Sequence, residues 1–242
     1  KYYCKKHYNQ MYRYGKVLER TIYDKNSIVE NTDGSIGIDL FNKNGENVGV
    51  CYIDKEDYDK VKNYKWYLKT NKKHTVKYCV TKGISPNTSV LIHNIILNNL
   101  DENNRVVKKY DHIDNDGLNN RKNNLRIVSS HQNAMNMSVK TTNKTGVAGV
   151  KFYSQNKYKK WEAGITYKYK NIFLGRSEYF DEAVKLRIKG EAKYFKKYSN
   201  NYIPSTNLIE LKYISLDDKR ETVIKCNLNG DIVDFHKINQ AI

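Results

Sequence analysis

The chain has 242 residues, with 43 Lys and Arg against 26 Asp and Glu, for a formal net charge of +17. A surface this positive calls for a polyanionic partner, nucleic acid or an acidic membrane face, but no stretch approaches the roughly 20 apolar residues a membrane span needs. The four cysteines, Cys4, Cys51, Cys79 and Cys226, are far apart and form no CxxC pair, which argues against a disulfide framework or a four-cysteine zinc site and for a reducing cytoplasm.

Residues 1–20 read as a short basic helix with a weak apolar stripe at Tyr8, Met11 and Tyr12. From Gly34 to about Val80 the pattern is that of short strands. Ile36, Ile38 and Leu40 alternate, Asn44-Gly45 is a hairpin signal, and Val48, Val50 and Tyr52 alternate after it. Asp54 is placed to cap a helix over Lys55–Lys62. Val76–Val80 reads as a strand and Val90–Leu100 as a helix burying Ile92, Ile95 and Ile96, with His93 on its apolar face as a core histidine. Val106–Tyr110 is a strand leading into Asp111-His112, followed by an Asn-rich loop, a second strand at Leu125–Val128, and a helix capped by Ser129 or Ser130. After a polar linker at Thr141–Thr145 come strands at Gly149–Tyr153, Trp161–Tyr167 and Lys170–Gly175, then a helix opening at Phe180-Asp181-Glu182 with Val184, Ile188, Ala192 and Phe195 as its buried stripe. Beyond Pro204 the chain reads as irregular. The end, from Val223, reads as two strands about Asn229-Gly230 and a helix beginning at Ile238, as if cut from a longer protein.

The positive charge is concentrated. Residues 140–199 hold 15 basic and five acidic residues, whereas residues 111–139 hold three of each. The basic region is interleaved with aromatic residues, the composition of a surface that tracks phosphates. The neutral segment carries the chemistry. A strand there ends in Asp111 and His112, Asn124 follows 12 residues after the histidine, and Asn133 lies nine further on a helix. Hydrolysing a phosphodiester requires a base for water, which a neutral imidazole with a pKa near 6.5 can be. It also requires stabilisation of the leaving oxygen, which a hard divalent cation on oxygen ligands supplies. Asp111 and the amide oxygen of Asn133 are ligands of that type. On an extended strand Asp111 and His112 point to opposite sides, and Asn124 is placed to hold the loop through hydrogen bonds to backbone and so to orient His112.

The segment from about Val90 to Met137, with Leu91-Ile92-His93, DHIDND, LNNRKNNLR and QNAMN as markers, resembles the HNH endonucleases, a ββα-metal nuclease fold, in the branch found in phage and intron-encoded homing enzymes. The resemblance implies that His112 is the general base, Asn124 the central structural asparagine of the catalytic motif, and Asp111 and Asn133 the metal ligands for Mg²⁺ or Mn²⁺. Asn133 stands where the family has its last His, a replacement some homing members share; His131 is a competitor two residues short of the spacing. Asp114, Asp116 and Arg121 are read as loop-ordering residues, and Arg126 as ordering the loop or touching a phosphate.

Residues 145–198 resemble the APETALA-type DNA-binding domain of plant ethylene-response factors, which also occurs in phage HNH nucleases. The markers are Gly146-Val147-Ala148-Gly149-Val150, Lys160-Trp161-Glu162-Ala163-Gly164-Ile165, Phe173-Leu174-Gly175 and Phe180-Asp181-Glu182-Ala183. That family sets a three-stranded sheet in the major groove with a helix behind it. The resemblance implies DNA contacts from Lys151, Tyr153, Lys157, Lys160, Trp161, Lys168 and Lys170, with Trp161 equally placed to pack the sheet on the helix. The tail from Lys225 resembles a nuclease-associated modular DNA-binding motif. Cys4 and His7 lie in a segment resembling the N-terminus of phage HNH proteins, and a zinc site there is disfavoured.

The expectation is therefore an α+β, multi-module chain: a basic segment (1–32), a small β-rich domain (33–89), the HNH ββα-metal core (90–139), the APETALA-like domain with its three-stranded sheet and helix (145–199) and a C-terminal extension (200–242). It is expected to act as a monomeric, metal-dependent HNH endonuclease on double-stranded DNA, homing-enzyme-like, without a membrane, in the cytoplasm of a bacterial or phage-infected cell. The rivals are a restriction or defence nuclease with a short target and a non-catalytic DNA-binding regulator on the same scaffold.

Overall fold

The computed structural model describes residues 3–21, 24–70, 76–83, 88–103, 105–137, 139–140, 142–155, 158 and 160–238. The chain is α+β, made of small antiparallel sheets and few helices, and it packs as two compact units, Lys1–Ile127 and Val128–Ile242. The division falls inside the 90–139 segment defined by motif.

The first unit opens with α1 (Lys5–Tyr14), closed by Gly15 in the left-handed conformation, φ 68°. A three-stranded sheet follows: β1 (Ile28–Glu30), β2 (Ser35–Phe41) and β3 (Asn47–Asp54), in that order. Its alternation buries Ile36, Ile38, Leu40, Cys51 and Ile53 on one core, which Val61 and Trp66 complete. The helix expected over Lys55–Lys62 is a 3₁₀ turn (Lys55–Asp57) running into α2 (Tyr58–Val61). Asp54 does not cap it; its carboxylate accepts from the Lys122 backbone at 2.8 Å instead. The second sheet is β4 (Tyr67–Thr70), β5 (Lys77–Lys82) and β6 (Ser89–Leu91). The helix expected over Val90–Leu100 is only α3 (Ile92–Ile96), because Val90 and Leu91 pair with β5 and Asn98 turns left-handed, φ 48°. Strands β7 (Tyr110–His112) and β8 (Leu125–Ile127) form a two-stranded ribbon.

In the second unit α4 (Ser130–Met135) starts at a full capping box. Ser129 Oγ accepts from the Gln132 backbone at 3.1 Å, and Gln132 Oε1 accepts from that of Ser129 at 2.8 Å. The three-stranded sheet is β9 (Val150–Phe152), β10 (Trp161–Tyr167) and β11 (Lys170–Ser177), with β10 central, and α5 (Phe180–Tyr194) lies on it. Gly175 does not end the third strand; it sits within β11 opposite Ala163, beside a bulge at Ala163/Gly164.

The stretch after Pro204 is not irregular. It forms a four-stranded meander, β12 (Tyr202–Ile203), β13 (Leu208–Ile214), β14 (Glu221–Asn227) and β15 (Ile232–Lys237). Ile209, Leu211 and Tyr213 alternate inward, while Glu210 and Lys212 point out. The helix expected from Ile238 falls on residues 239–242, outside the described residues. Helix α5 is therefore shared, since one core holds Val150 and Ala163 from the first sheet, Phe180, Val184 and Ile188 from the helix, and Ile209, Ile224 and Cys226 from the meander. Asp217, in the β13–β14 turn, caps the helix from outside, accepting from the Phe180 and Asp181 backbones at 2.9 and 3.0 Å.

Candidate active site and nucleic-acid surface

The ribbon pairing sets Asp111 directly opposite Arg126 and His112 opposite Leu125. Asp111 and Arg126 consequently form an ion pair at 3.0 Å, with both side chains largely covered. Arg126, expected to order the loop or touch a phosphate, is held against the expected metal-binding acid.

The loop from 113 to 124 is tied down by its own asparagines and aspartates. Asn124 donates to Asp114 Oδ1 and to the Asn119 carbonyl, both at 2.8 Å, and accepts from the Asp114 backbone at 3.1 Å. Its own carbonyl accepts from Ile113, the residue after His112, at 2.9 Å. Asp114 also accepts from Asn119 at 2.7 Å, and Asp116 from the Leu118 backbone at 2.9 Å. The loop docks on the first sheet through Tyr52, whose backbone pairs with Leu118 and Asn120 at 2.8 and 2.7 Å. It also crosses β5 so closely that a Cβ at Gly117 would lie 2.3 Å from the Lys77 carbonyl.

His112 is buried, 6% exposed, with Nε2 3.1 Å from Asn120 Oδ1. Asn120 is fully buried, and its amide nitrogen donates to the Gly117 carbonyl at 3.2 Å and to Cys51 Sγ at 3.3 Å. Those two bonds orient the amide with its oxygen toward the ring. The bond thus assigns the imidazole proton to Nε2. Burial lowers the pKa of His112 below that of an ordinary histidine, with the Asn120 bond and the nearby aspartates opposing it. The ring is therefore neutral at physiological pH, the protonation state of a base.

His93 is buried too, and meets His112 edge-on at 5.1 Å between ring centres. Burial and then the neighbouring imidazole push its pKa down to about 4. An unfolded histidine binds its proton near pH 6.5, so between pH 6.5 and 4 the unfolded chain takes up a proton that the folded one refuses. Stability is thus greatest above pH 6.5 and declines as the pH falls toward 4, by about 3 kcal/mol from this one group. In a Trp161→Phe background Trp66 reports the first unit alone. Denaturant melts at pH 7.5 and 4.5 should show that loss, and His93→Gln should shrink it; an equal loss in the variant would assign the acid sensitivity elsewhere.

Asn133 stands on α4 in the second unit, whereas Asp111, His112 and Asn124 come together in the first. His131, the competitor for its role, has its Nε2 accepting from the Lys168 backbone at 3.2 Å and its ring against Tyr167. Among the described residues no three His, Cys, Asp or Glu side chains gather as a metal centre. Asp111 offers a hard carboxylate oxygen of the kind a divalent cation takes, and that carboxylate is already paired with Arg126.

Asn120 was not singled out in the sequence. It is one of several asparagines between Asn115 and Asn124, and only its burial distinguishes it.

On the three-stranded sheet the strand register separates two faces. Ala163 and Ile165 turn toward α5, and Trp161 goes with them, its ring 4.8 Å from that of Phe180. Trp161 thus packs the sheet on the helix while remaining partly exposed. The outer face carries Lys151, Glu162 and Arg176 side by side, with Arg176 also stacked 3.9 Å from the Tyr153 ring. Hydrogen bonds from Lys151 and Arg176 hold the Glu162 carboxyl below the usual carboxylate range. Arg176 and the exposed Phe173 belong to this face although they were not among the expected contacts; they are three residues apart, so plain alternation along β11 would part them, and the bulge that leaves Leu174 unpaired brings them together. Lys160, Lys168 and Lys170 are exposed, the last two at the β10–β11 turn, and Lys157 lies outside the described residues.

Among the described residues no helix is long and apolar enough to cross a membrane. The chain is 32% identical over 149 residues to an uncharacterized HNH endonuclease of Acanthamoeba polyphaga mimivirus, an alignment spanning 59% of this chain and 73% of that protein. No family model matches the chain, and no solved structure does.

Proposed function

The chain belongs to the HNH endonuclease family, and we propose that it is a metal-dependent DNA endonuclease hydrolysing phosphodiester bonds at a specific site, in the manner of homing enzymes. The observation that carries this reading is His112. It is an imidazole kept neutral by burial, with Nε2 bonded to Asn120, and it is adjacent in sequence to a carboxylate.

In this mechanism the neutral His112 takes a proton from the attacking water. Asn120 and Asn124 act as positioning residues, the first fixing the ring's tautomer and the second bracing the loop behind it. Asp111 is the ligand that the first unit offers to a divalent cation, Mg²⁺ or Mn²⁺, and the part of Asn133 rests on its place in the motif. Such a cation, when bound, stabilises charge on the phosphate and the leaving oxygen. Arg126 lies on Asp111 and must share that carboxylate with it.

The outer face of β9–β11 is the proposed APETALA-like DNA surface, with Lys151, Tyr153, Lys160, Lys168 and Lys170 as the expected contacts and Arg176 added by the structure. The excess positive charge of this region supports that assignment.

Supercoiled plasmid is the direct test. With Mg²⁺ or Mn²⁺ the chain should nick or linearise it, EDTA should stop the reaction and added metal restore it. Intact supercoiled DNA under all conditions, with binding retained, would instead favour a DNA-binding regulator on this scaffold.

A further inference from the structure

A groove of about 630 Å³ lies in the second unit, between the C-terminal end of α5, the 3₁₀ turn Lys196–Tyr198, the β10–β11 turn and α4. Lys168, Lys193, Lys196 and Lys197 line it, together with Tyr198 and Tyr202. Among the described residues that line it there is no acidic side chain, although residues 128–242 contain 11 acidic residues against 20 basic ones. Of the contacts expected on the sheet, Lys168 lines it, and Lys151, Tyr153, Lys160 and Lys170 do not.

The backbone supplies a second, independent observation. Lys168 and Lys196 are left-handed, φ 49° and 51°, and Tyr169 beside the groove is left-handed at φ 63°. Lys168 and Tyr169 fill both central positions of the β10–β11 turn, where Asn-Gly is the favoured pair. Elsewhere the chain meets this demand with glycine at Gly15, Gly146 and Gly149, with asparagine at Asn98, Asn115 and Asn207, and with lysine at Lys219. Lys168 and Lys196 thus carry their charges on backbone that lysine does not favour, and both line one groove without acidic side chains.

We propose that this groove binds the phosphate backbone of duplex DNA as a second contact surface, which shares only Lys168 with the expected contacts of the sheet. The inference rests on the reading of the chain as a DNA endonuclease and deepens it. Each lysine that neutralises a phosphate releases a counterion, so affinity carries a salt dependence of about 0.9 log units per contact. The tyrosines wall the groove and add no sequence preference, so the contribution is the same on any DNA sequence.

The full chain is tested by measuring DNA affinity against salt in EDTA, where no cleavage occurs. Lys196→Gly should flatten the salt slope by about 1, and Lys196→Gly with Lys193→Gln by about 2. Raising salt from 50 to 200 mM should then cost the wild type about 12-fold more affinity than the double variant. Lys196→Gly should melt no lower than the wild type, because glycine accepts the backbone that lysine strains. Lys193→Gln and Lys197→Gln, which leave the backbone alone, should each flatten the slope by a similar amount. Lys219→Gly is the control: it has φ 65° and the same charge change, but is far along the chain in the β13–β14 turn and outside the groove. Unchanged slopes in the groove variants, or an equal change in Lys219→Gly, would overturn the proposal. Metal-dependent nicking by the wild type, scored on the same preparation, separates this outcome from a failure of the endonuclease reading.

Discussion

His112→Ala should slow plasmid cleavage by about 10²- to 10⁴-fold, the contribution of a positioned general base, while the variant still binds DNA. The expectation follows from the ring's surroundings. Only the neutral imidazole accepts a proton, and burial lowers the pKa of His112 below the ordinary value near 6.5. The wild-type rate should therefore climb with pH on the acid side of 6.5 and be level at neutrality, and that acid limb should vanish in His112→Ala. Asn120→Ala offers the finer comparison, since it keeps the base but frees its tautomer and should lose part of the rate. A variant lacking His112 that cuts at the wild-type rate would remove the imidazole from the chemistry.

Glu191→Ala should destabilise the second unit by about 3–5 kcal/mol, the cost of stranding a buried ion-pair partner. Arg187 and Glu191 are paired at 2.9 Å on the covered side of α5, with side chains 8% and 5% exposed. Glu191 also accepts from Ser199 Oγ at 2.5 Å and from Asn201 at 3.0 Å, and Arg187 donates to the Gly164 carbonyl of β10 at 2.7 Å. One pair thus ties the helix to the sheet before it and the turn after it. Gly149 belongs to the same device, because a Cβ there would lie 2.4 Å from the guanidinium. Thermal melts followed through Trp161 measure the loss. Replacing both partners, Arg187→Met with Glu191→Leu, should recover much of it, because no charge is then left unpaired. A single variant that melts with the wild type would show that the pair is solvated in solution.

Much of the fold was legible wherever one side of an element is buried. The alternation along Ile36, Ile38 and Leu40 and the stripe through Val184, Ile188 and Ala192 both became core, because burial on one face writes its period into the sequence. The β13 strand was missed although Ile209, Leu211 and Tyr213 alternate just as clearly. Its outward residues are charged, and the flanking Pro204 and asparagines suggested a loop. Helix ends were the least legible, since the Val90–Leu100 pattern suits a helix until the pairing of Leu91 with Val80 claims its first residues for a strand.

The residues alone determined that this chain is basic, α+β and made to meet a polyanion, and that Asp111, His112 and Asn124 sit about an asparagine-rich loop. These follow from composition, period and spacing, which are local. Only tertiary structure decided which of several identical asparagines holds the imidazole, that Arg126 covers Asp111, that Trp161 faces inward, and that one helix serves two sheets. Each of those depends on which side chains meet across long stretches of chain, and a linear pattern carries no record of a distant partner.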